Sequence, residues 1–427
     1  SILMLTSVVG INWGDEGKGR MVDLLSQDYD IVVRYQGGNN AGHTVMNERG
    51  RFILNLLPSG ILRDETVNVL GPGMVIDMEH LYNEIQKLRD AGIEITPKHL
   101  KISDRASICM PYHKLLDCFE EDRLADKKFG STRRGISPAY SDRYMKKALR
   151  VGELLHRELL DERVADIVEW KNLLVEKGYG HEAIKAEDML AWIDKYCMPF
   201  KDYICDTTLY LGEAVKEGKN IMFEAQLGAL RDIDYGIFPY TSASYTIASY
   251  APIGAGIPQQ HLDEIVGIMK AYSTCVGEGP FTCELFGEEG NALREAGGEY
   301  GAATGRPRRV GSFDAVASRY GVMIQGATCL ALTKLDVLSY LDRIPVCVAY
   351  EVEGKRVDYF PKGVELAEAK PVYEYVPGFK CDISACRKPE ELPKEALDYV
   401  RYLEKAVGCP IKYVSVGPDR DQYIEMF

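Results

Sequence analysis

The 427-residue sequence has no long apolar run, no excess of positive charge and no closely paired cysteines. A membrane-spanning helix needs about 20 successive apolar residues, and no segment approaches that length, so we expect no membrane association. A net charge of −13 argues against nucleic acid as a partner, because proteins that bind it carry a basic surface. The 11 cysteines include no C-x-x-C pair, which argues against a disulfide framework or a zinc site. We therefore expect reduced thiols and a cytoplasmic location.

The sequence also lacks the Ser/Pro-rich linkers, charge blocks and fixed-period repeats that often separate domains. Its composition is ordinary for a globular protein, with 46% hydrophobic and 27% charged residues. We therefore predict a single domain over residues 1–427, with a helical subdomain at about 112–219.

Short β-branched or apolar runs predict buried strands at Leu3–Val9, Ile31–Tyr35, Ile221–Phe223, Ile265–Met269, Cys329–Thr333 and Val346–Val352. Apolar residues spaced three and four apart predict helices at Glu79–Ala91, Asp161–Lys177, Glu182–Tyr196, Phe313–Ile324 and Pro389–Val407. This alternation favours an α/β fold with a mostly parallel central sheet, in which ligands bind at the carboxyl ends of strands. The segment Val346–Phe360, with Glu353-Gly354-Lys355 at its turn, predicts a peripheral hairpin.

The first motif that carries chemistry is the glycine-rich segment Gly10–Gly19, directly after the first predicted strand. Glycines let the backbone approach a phosphate, successive N–H groups face it, and Lys18 adds a positive charge. Asn12 and Gly19 depart from a standard Walker A motif, in which a Ser or Thr at the place of Gly19 binds Mg²⁺. The segment therefore predicts a phosphate loop with Asp15 as the candidate metal ligand. A glycine-rich turn with a surface lysine is the alternative.

The second motif is the segment Gln36–Thr44, which also follows a predicted strand. Its glycines and amides place hydrogen-bond donors in a loop, and the imidazole of His43 can stabilise charge that develops on an oxygen. A histidine with a purely structural role is the alternative.

The third motif, Thr333–Asp336, ends a predicted strand. A carboxylate such as that of Asp336 accepts hydrogen bonds from both N1–H and the 2-amino group of guanine, while the stem of Lys334 packs on the base. The motif therefore favours guanine selectivity, and a solvated ion pair is the alternative.

The fourth motif, Gly301–Arg309, is a glycine-containing loop with three arginines. Guanidinium groups bind carboxylates and phosphates in a bidentate manner, so the loop is a candidate clamp for an acidic co-substrate. An exposed basic loop without a ligand is the alternative.

Together these motifs resemble those of the adenylosuccinate synthetase family, in the same order and over essentially the whole chain. The matching segments are Trp13–Gly19, Gln36–Thr44, Gly130–Tyr140, Asp232–Asp234 with Pro239-Tyr240, Lys270–Thr274, Thr304–Arg309, Lys334–Asp336 and Gly417–Arg420. The resemblance implies a homodimer with features of phosphate-loop NTPases that uses Mg²⁺, GTP, IMP and L-aspartate. The implied reaction, in AMP biosynthesis, joins L-aspartate to IMP through 6-phosphoryl-IMP and gives adenylosuccinate, GDP and phosphate.

The resemblance also implies roles for individual residues. Asp15, His43 and Lys18 would be catalytic, with Asp15 taking the N1 proton of the purine. The GTP site would contain Gly14, Gly17, Lys18, Gly42, Thr44, Arg308, Lys334, Asp336, Ser415 and Gly417. The IMP site would contain Asn40, Thr132, Lys146, Leu227, Ser242 and Val276. L-Aspartate would contact Thr304 and Arg306, and Mg²⁺ would be bound by Asp15 and the carbonyl of Gly42.

The sequence departs from the family pattern mainly where the nucleotide or aspartate is expected. Leu227 stands where the family's E-G-A-Q-G segment has an amide, and Lys146 stands where the partner subunit usually lends an arginine to the IMP phosphate. A lysine offers a single charged ammonium, whereas an arginine binds a phosphate through two parallel N–H groups. Weaker phosphate binding is therefore expected. The remaining replacements are Arg133 and Ser137 for glycines, Ala303 for a threonine, Cys275 for an arginine and Ser312 for a tryptophan.

These departures leave three alternative functions open. A specialised paralogue would use a variant 6-oxopurine nucleotide or another amine donor. A GTP-dependent switch would need the phosphate loop and Thr333–Asp336 but has no use for Asp15 and His43. An inert scaffold would not be expected to keep Asp15, Lys18 and His43.

Overall fold

The computed structural model describes residues 5–301 and 304–427. The strands in these ranges are β1 (Leu5–Gly10), β2 (Ile31–Arg34), β3 (His43–Asn47), β4 (Gly50–Leu54), β5 (Val67–Leu70), β6 (Val75–Ile76), β7 (Leu100–Ser103), β8 (Ser107–Ile108), β9 (Ile204–Cys205), β10 (Ile221–Gly228), β11 (Glu264–Lys270), β12 (Ser273–Cys275), β13 (Arg309–Gly311), β14 (Phe313–Asp314), β15 (Cys329–Thr333), β16 (Arg343–Val352), β17 (Lys355–Val357), β18 (Lys370–Pro377), β19 (Ile411–Ser415) and β20 (Tyr423–Glu425). The helices are α1 (Lys18–Leu25), α2 (Met78–Asp90), α3 (Pro111–Leu124), α4 (Ile136–Met145), α5 (Leu160–Asn172), α6 (Ala186–Trp192), α7 (Thr207–Lys216), α8 (Ala251–Ala255), α9 (Gly287–Gly297), α10 (Ala315–Gln325), α11 (Gly363–Glu368) and α12 (Lys394–Val407).

The main sheet has ten strands in the order β20-β19-β15-β11-β1-β10-β2-β5-β7-β9. Its described neighbours are parallel except β19 and β20, which confirms the predicted mostly parallel sheet. All six residues of β1 are buried, as expected for a central strand whose two faces are both covered. Because β1, β2, β11, β15 and β19 run in the same direction, their carboxyl ends open on one edge of the sheet. The first three motifs of the sequence follow β1, β2 and β15 at this edge.

Most predicted elements lie close to their expected bounds. Strand β15 has the predicted range, and β1 ends one residue beyond it, whereas the predicted Leu3 and Met4 lie outside the described residues. Helices α5 and α6 end earlier than predicted, because each passes into a π-helical turn, at Leu173–Gly178 and at Ile193–Cys197. Helix α6 also begins at Ala186, four residues after its predicted start.

Helix α10 shows how local chemistry sets an element's ends. The carboxylate of Asp314 accepts a hydrogen bond from the Ala317 N–H group at 2.9 Å, and Gly326 ends the helix with φ of +65°. Asp314 has no exposed surface, and the Tyr350 hydroxyl donates to its other oxygen. Burial raises the pKa of Asp314 to about 6, despite these hydrogen bonds.

The predicted peripheral hairpin is formed by β16 and β17. Val352 pairs with Lys355, so the connecting turn has only two residues between them. Glu353 has φ of +52° and Gly354 has φ of +77°, as a type I′ turn requires. Strand β18 pairs with β16 along its other edge.

From α3 to α7 the chain is mainly helical, interrupted by β9, which extends the main sheet beside β7. Buried side chains of this stretch, such as Val164 and Ile193, belong to one apolar cluster with Leu81 and Ile102 from outside it. The helices are therefore packed on the rest of the protein through a continuous core. Within the described ranges, no helix combines the length and the apolarity that crossing a bilayer requires.

Candidate active site

The predicted phosphate loop lies between the end of β1 and the start of α1. The Glu16 side chain stabilises this loop through hydrogen bonds to its backbone. One carboxylate oxygen of Glu16 accepts hydrogen bonds from the N–H groups of Asn12 at 2.7 Å and Gly14 at 3.1 Å. The ammonium of Lys18 is buried, 3.5 Å from the other Glu16 oxygen and 3.2 Å from the Gly14 carbonyl. Gly17 has φ of +82° and turns the chain into α1. Glu16 lies within the motif but was not predicted as a functional residue.

Gly19 is required by the packing of α1 against β3. A Cβ atom at Gly19 would lie 2.3 Å from the Cβ atom of His43. His43 and Thr44, expected in a loop, are instead the first residues of β3. The absence of a Ser or Thr at position 19 therefore has a steric reason, namely that His43 occupies the space.

Asp15 is held at this loop by a residue from another part of the chain. The Thr274 hydroxyl, in β12, donates to one carboxylate oxygen of Asp15 at 2.5 Å. Lys270, at the end of β11, in turn donates to the Thr274 hydroxyl at 2.7 Å. The chain Lys270–Thr274–Asp15 therefore orients the candidate base. Its second oxygen stays available for both a proton and a cation, since each carboxylate oxygen has two lone pairs.

His43 contacts a buried carboxylate. Its Nε2 atom lies 2.8 Å from Oε2 of Glu224, which has no exposed surface, and the Arg34 Nε atom lies 3.8 Å from the same oxygen. The Ser59 N–H group donates to the other oxygen at 3.0 Å. Burial alone would raise the pKa of Glu224, but His43 and Arg34 outweigh it and hold the pKa at about 2. Glu224 is thus a fixed anion against which the imidazole is oriented.

The candidate guanine site is formed by the ends of two neighbouring strands. Strand β15 ends at Thr333, and Lys334 adopts a left-handed conformation with φ of +62° that starts the turn carrying Asp336. Strand β19 pairs with β15 and ends at Ser415, whose hydroxyl donates to the Gly417 carbonyl at 3.3 Å. Burial raises the pKa of Asp336, and nearby positive charges counteract the rise. The parallel pairing brings these four predicted residues to one corner of the sheet.

Arg308 and Lys334, two predicted GTP contacts, share a partner that was not predicted from the sequence. Glu299 is fully buried, with Arg308 Nη1 at 3.0 Å and Lys334 Nζ at 3.6 Å from its oxygens. Lys270 and the Tyr272 hydroxyl also contact its carboxylate, at 3.2 and 2.6 Å. No sequence spacing could have indicated this cluster, because its members come from three separate segments.

The predicted aspartate loop begins next to Glu299. The Gly301 N–H group donates to the Arg306 carbonyl at 2.7 Å, and the Arg306 N–H group lies 3.3 Å from the Thr304 hydroxyl. Thr304 and Arg306 are both exposed. Ala303, a departure from the family pattern, lies outside the described residues.

Leu227 lies in a bulge of β10 that packs on the phosphate loop. The register with β1 jumps there, since Val8 pairs with Glu224 and Gly10 pairs with Gly228. Leu227 has φ of +63°, and a Cβ atom at Gly10 would lie 2.4 Å from its carbonyl oxygen. The bulge explains why the phosphate loop needs glycine at that position.

The neighbouring residue Gln226 uses its side-chain amide for contacts within the protein. Its Nε2 atom donates to the carbonyls of Gln36 at 3.1 Å and Gly38 at 2.8 Å, and its backbone N–H group donates to Gln36 Oε1 at 2.6 Å. The side chain is therefore committed to holding the loop that carries Asn40, whose own side chain accepts from the Gly38 N–H group at 3.3 Å.

Arg231 links two of the predicted IMP contacts. Its backbone carbonyl accepts from the Ser242 N–H group at 2.8 Å, and its Nη2 atom donates to the Val276 carbonyl at 2.6 Å. The same Nη2 atom lies 3.3 Å from the thiol of Cys275, where the family has an arginine. A guanidinium from a different position thus occupies the space beside residue 275. Arg231 was not predicted as a functional residue. The only indication of its role in the sequence is that it directly precedes the Asp232–Asp234 motif.

Thr132 lies in a loop that two buried carboxylates of α3 hold. Ser131, beside it, donates its hydroxyl to Asp117 at 2.7 Å and its N–H group to Glu121 at 3.1 Å. Arg133 has φ of +60°, as its family glycine would allow, and its guanidinium turns outward to Asp122 at 2.8 Å. The side chain of Arg133 therefore lies on the surface and does not line the candidate IMP site.

Ser312, which replaces a tryptophan of the family pattern, is buried. Its hydroxyl donates to the Phe313 carbonyl at 3.1 Å.

The remaining predicted residue, Lys146, lies apart from this network. It ends α4 in a left-handed conformation with φ of +61° and is exposed. Among the described residues, no hydrogen bond or ion pair involves its side chain.

The donor set at the phosphate loop fits a hard divalent cation. No group of three or more His, Cys, Asp and Glu side chains is arranged to bind a metal in residues 5–301 and 304–427. Asp15 has one oxygen free of Thr274, and Gly42 is an exposed residue of the neighbouring loop. Mg²⁺ commonly takes one or two carboxylates and completes its shell with phosphates and water. These residues therefore suit Mg²⁺ bound together with a nucleotide.

The fold and this edge of the sheet define a class of protein. The candidate phosphate loop, the candidate guanine site and the carboxylate of Asp15 lie together at one edge of a mostly parallel α/β sheet, as expected of a GTP-dependent ligase. The family model for adenylosuccinate synthetase matches residues 7–424, and the chain belongs to this family.

Individual relatives agree with this identification. The chain is 46% identical to the adenylosuccinate synthetase of Heliobacterium modesticaldum, covering 98% of each protein. It is 44% identical to that of Streptococcus gordonii, covering 97% of this chain and 96% of the relative. The solved structure of fully ligated adenylosuccinate synthetase from Plasmodium falciparum superposes with a TM-score of 0.91 at 34% identity, covering 99% of both chains. A cyanophage S-2L succinoaminodeoxyadenylate synthetase, with a TM-score of 0.63 and 18% identity, shows the fold alone.

The protein is accordingly a GTP- and Mg²⁺-dependent enzyme that joins L-aspartate to IMP and releases adenylosuccinate, GDP and phosphate. This is the reaction that the resemblance of the motifs implied. The alternatives of a specialised paralogue, a GTP switch or an inert scaffold are not favoured by these relatives.

Proposed function

We propose that Asp15, His43 and Lys18 carry out the phosphoryl transfer in this reaction. The supporting observation is the hydrogen bond from Thr274 to Asp15, because it fixes a carboxylate at the same loop as Gly14, Gly17 and Lys18. A base that is part of the phosphate loop holds the purine oxygen and the γ-phosphate close together.

The chemistry has two steps. Asp15 accepts the N1 proton of IMP, and O6 attacks the γ-phosphorus of GTP, while the bond to the GDP oxygen breaks. Lys18 and His43 donate hydrogen bonds to phosphate oxygens as negative charge shifts toward GDP. Mg²⁺, held by Asp15 and the Gly42 carbonyl, would reduce the repulsion between the phosphates. The amine of aspartate then attacks C6, the C6–O bond breaks, and phosphate leaves as the amine loses a proton.

The substrates would be held by the residues that the resemblance implied. For GTP these are Gly14, Gly17, Lys18, Gly42, Thr44, Arg308, Lys334, Asp336, Ser415 and Gly417. For IMP they are Asn40, Thr132, Leu227, Ser242 and Val276, with Lys146 supplied by a second subunit. Thr304 and Arg306 would bind the carboxylates of L-aspartate.

The proposed homodimer would place Lys146 at the partner's IMP phosphate. Its support is a set of exposed apolar side chains close to Lys146 in the sequence, since Tyr144, Met145 and Leu159 are 71%, 56% and 64% exposed. Two copies of the chain would cover this surface and deliver Lys146 from one to the other. We further propose a cytoplasmic location, which the free cysteines support.

Isotope exchange in GTP tests the assignment of the first step. With ¹⁸O in the β,γ-bridge, reversible transfer to IMP lets the label scramble when aspartate is omitted. We expect scrambling to require IMP and Mg²⁺ and to be lost in Asp15→Asn. Scrambling at an undiminished rate in Asp15→Asn would remove Asp15 from the step. Thr304→Ala, which alters only the aspartate loop, should leave the scrambling intact.

A further inference from the structure

The guanidinium of Arg231 joins two segments of the chain that carry predicted IMP contacts. Its Nη1 atom donates to the carbonyl of Tyr240 at 2.6 Å and to the carbonyl of Glu278 at 3.3 Å. Its Nη2 atom donates to the carbonyl of Val276 at 2.6 Å. The side chain is only 8% exposed, so bulk water competes little for these bonds. One guanidinium therefore fixes both the segment that leads to Ser242 and the segment that carries Val276.

The same two segments also contact each other directly. The backbone carbonyl of Arg231 accepts from the Ser242 N–H group at 2.8 Å, which ties Ser242 to the residue that carries the guanidinium. Gly279 has φ of +111°, and a Cβ atom there would lie 2.9 Å from the Cβ atom of Tyr240. The segments are therefore packed against each other without room for a side chain at Gly279, and Arg231 bridges them.

A second guanidinium holds the intervening carbonyls of the segment that follows Cys275. Arg309 Nη1 donates to the carbonyl of Gly279 at 2.9 Å and lies 3.5 Å from that of Gly277. The two arginines thus bind alternate carbonyls of this segment. Arg309 also pairs with Glu284 at 3.0 Å, whereas in the described parts of the chain no carboxylate lies within ion-pair distance of Arg231. The charge of Arg231 is stabilised by backbone carbonyls, and such charge-assisted hydrogen bonds are stronger than neutral ones.

The loop that carries Thr132 packs on the same segment. A Cβ atom at Gly130 would lie 3.0 Å from the backbone nitrogen of Glu278, whose carbonyl Arg231 binds. Thr132 follows Gly130 by only two residues. Three of the predicted IMP contacts therefore lie on segments that Arg231 either binds or supports.

We propose that Arg231 is a positioning residue for IMP and that it stands in for the arginine of the family pattern at position 275. The proposal rests on the proposed placement of IMP at Thr132, Ser242 and Val276. The Nη2 atom of Arg231 lies 3.3 Å from the Cys275 thiol, so the guanidinium fills the space into which a longer side chain at position 275 would extend. Arg231 acts through backbone groups and not on the reacting atoms. Its loss should therefore weaken the binding of IMP and leave the chemical step largely unchanged.

Steady-state kinetics of Arg231→Met tests this role. We expect the KM for IMP to rise about tenfold, the scale of one lost hydrogen bond to a charged group, while kcat and the KM for GTP change by less than about twofold. Arg319→Met is the matched control, because the Arg319 guanidinium also donates to two backbone carbonyls, those of Ala406 at 2.9 Å and Asp358 at 3.0 Å, away from this site. Its KM for IMP should be unchanged. An unchanged KM for IMP in Arg231→Met, or a loss of kcat without a rise in that KM, would overturn the proposal.

Returning the guanidinium to position 275 gives a second test. In Arg231→Met combined with Cys275→Arg, the new side chain can enter the vacated space, so most of the affinity for IMP should be recovered. Cys275→Arg alone places two guanidinium groups in one space and should raise the KM for IMP. A double variant with the same KM for IMP as Arg231→Met would contradict the proposed replacement.

Arg231→Lys keeps the charge but cannot donate along three separate directions. It serves if Arg231→Met does not fold, and its KM for IMP should rise by a smaller factor. An unchanged KM for IMP in Arg231→Lys would then count against the role of Arg231.

Ser242→Ala separates this proposal from the placement of IMP beneath it. Because Ser242 is itself a predicted contact of IMP, its loss should raise the KM for IMP and leave the KM for GTP unchanged. If the KM for IMP does not change in Ser242→Ala, the placement of IMP is wrong, and the role of Arg231 is overturned with it. If Ser242→Ala raises the KM for IMP and Arg231→Met does not, only the role of Arg231 fails.

Discussion

The Nε2 atom of His43 and the Oε2 atom of Glu224 lie 2.8 Å apart, and the Arg34 Nε atom lies 3.8 Å from the same oxygen. Arg34 is only 1% exposed, so its charge depends on Glu224 for compensation. Removing one member of a buried ion pair leaves an uncompensated charge, which typically costs about 3 to 5 kcal/mol.

We therefore expect Glu224→Gln to lower the free energy of unfolding by about 3 kcal/mol in urea denaturation at neutral pH. The exposed Glu395→Gln on α12 is the matched control and should change it by less than about 0.5 kcal/mol. The double variant Arg34→Met with Glu224→Gln should recover part of the loss, because it contains no unpaired buried charge. A loss below about 1 kcal/mol for Glu224→Gln would contradict this account of the pair.

Asp15→Asn should lower kcat by about a thousandfold or more, because the base and a negative charge at the metal are lost together. Thr274→Val removes only the hydrogen bond that orients Asp15, so we expect a smaller loss of about tenfold. Both values come from steady-state kinetics at saturating IMP, GTP and aspartate. An Asp15→Asn enzyme within tenfold of the unaltered one would show that another group removes the proton.

Asp336→Asn should weaken GTP selectively, by about 2 to 4 kcal/mol, since an amide cannot accept from both guanine donors as a carboxylate does. ITP lacks the 2-amino group, so the preference for GTP over ITP in kcat/KM should narrow in the variant. The KM for IMP should stay the same and serves as the internal control. Equal use of ATP and GTP by the unaltered protein would rule out a guanine site at Asp336.

Lys146→Arg should lower the KM for IMP by a factor equivalent to about 1 kcal/mol, the scale of one added charge-assisted hydrogen bond. The KM for GTP should not change. Lys147→Arg is a suitable control. Lys147 is the next residue in the chain, and its ammonium lies over the Trp170 ring, 5.2 Å from the ring centre. If the residue acts across a dimer, the gain will disappear in a variant that sediments as a monomer. A gain that persists in the monomer would place Lys146 at its own subunit's site.

Asp314 predicts a pH-dependent contribution to stability. Its pKa is about 6 in the folded protein and 3.8 in the unfolded chain, so the folded state binds the proton more tightly. The stability of the unaltered protein relative to Asp314→Asn should therefore fall as pH rises from 3.8 to about 6, and stay constant above it. The fall should be on the order of 2 to 3 kcal/mol. Urea denaturation of both proteins across this range measures it, and parallel profiles would contradict the assignment.

The sheet, and the position of Lys334 and Asp336 directly after a strand, could be predicted from sequence because their signals are local. Strand β15 is a continuous apolar run, and the turn at Glu353-Gly354 has the residues that positive φ angles favour. Each of these features needs only neighbouring residues to be recognised. The same holds for the order of the motifs, which was sufficient to indicate the family.

The supports of the site could not be predicted in this way. Glu299 meets Lys270 and Lys334 only because the chain folds, and Glu224 on β10 of the main sheet meets His43 on β3, which belongs to a separate two-stranded sheet. Arg231 stands beside Cys275 although 44 positions separate them in sequence. Buried charges of this kind depend on long-range packing, and a residue's type alone does not reveal its partner. The bulge at Leu227 could not be predicted from the sequence either, because it depends on the register between β10 and β1.

Gly19 excludes a Walker A hydroxyl from this backbone, whichever side chain stands opposite it on β3. A Ser or Thr at position 19 would resemble a Walker A loop, but its Cβ atom would lie 2.3 Å from the Cβ atom of His43. Every residue except glycine has a Cβ atom, so replacing the imidazole by another side chain would not remove the overlap. Gain of the hydroxyl would therefore require α1 and β3 to move apart, or glycine at position 43 as well.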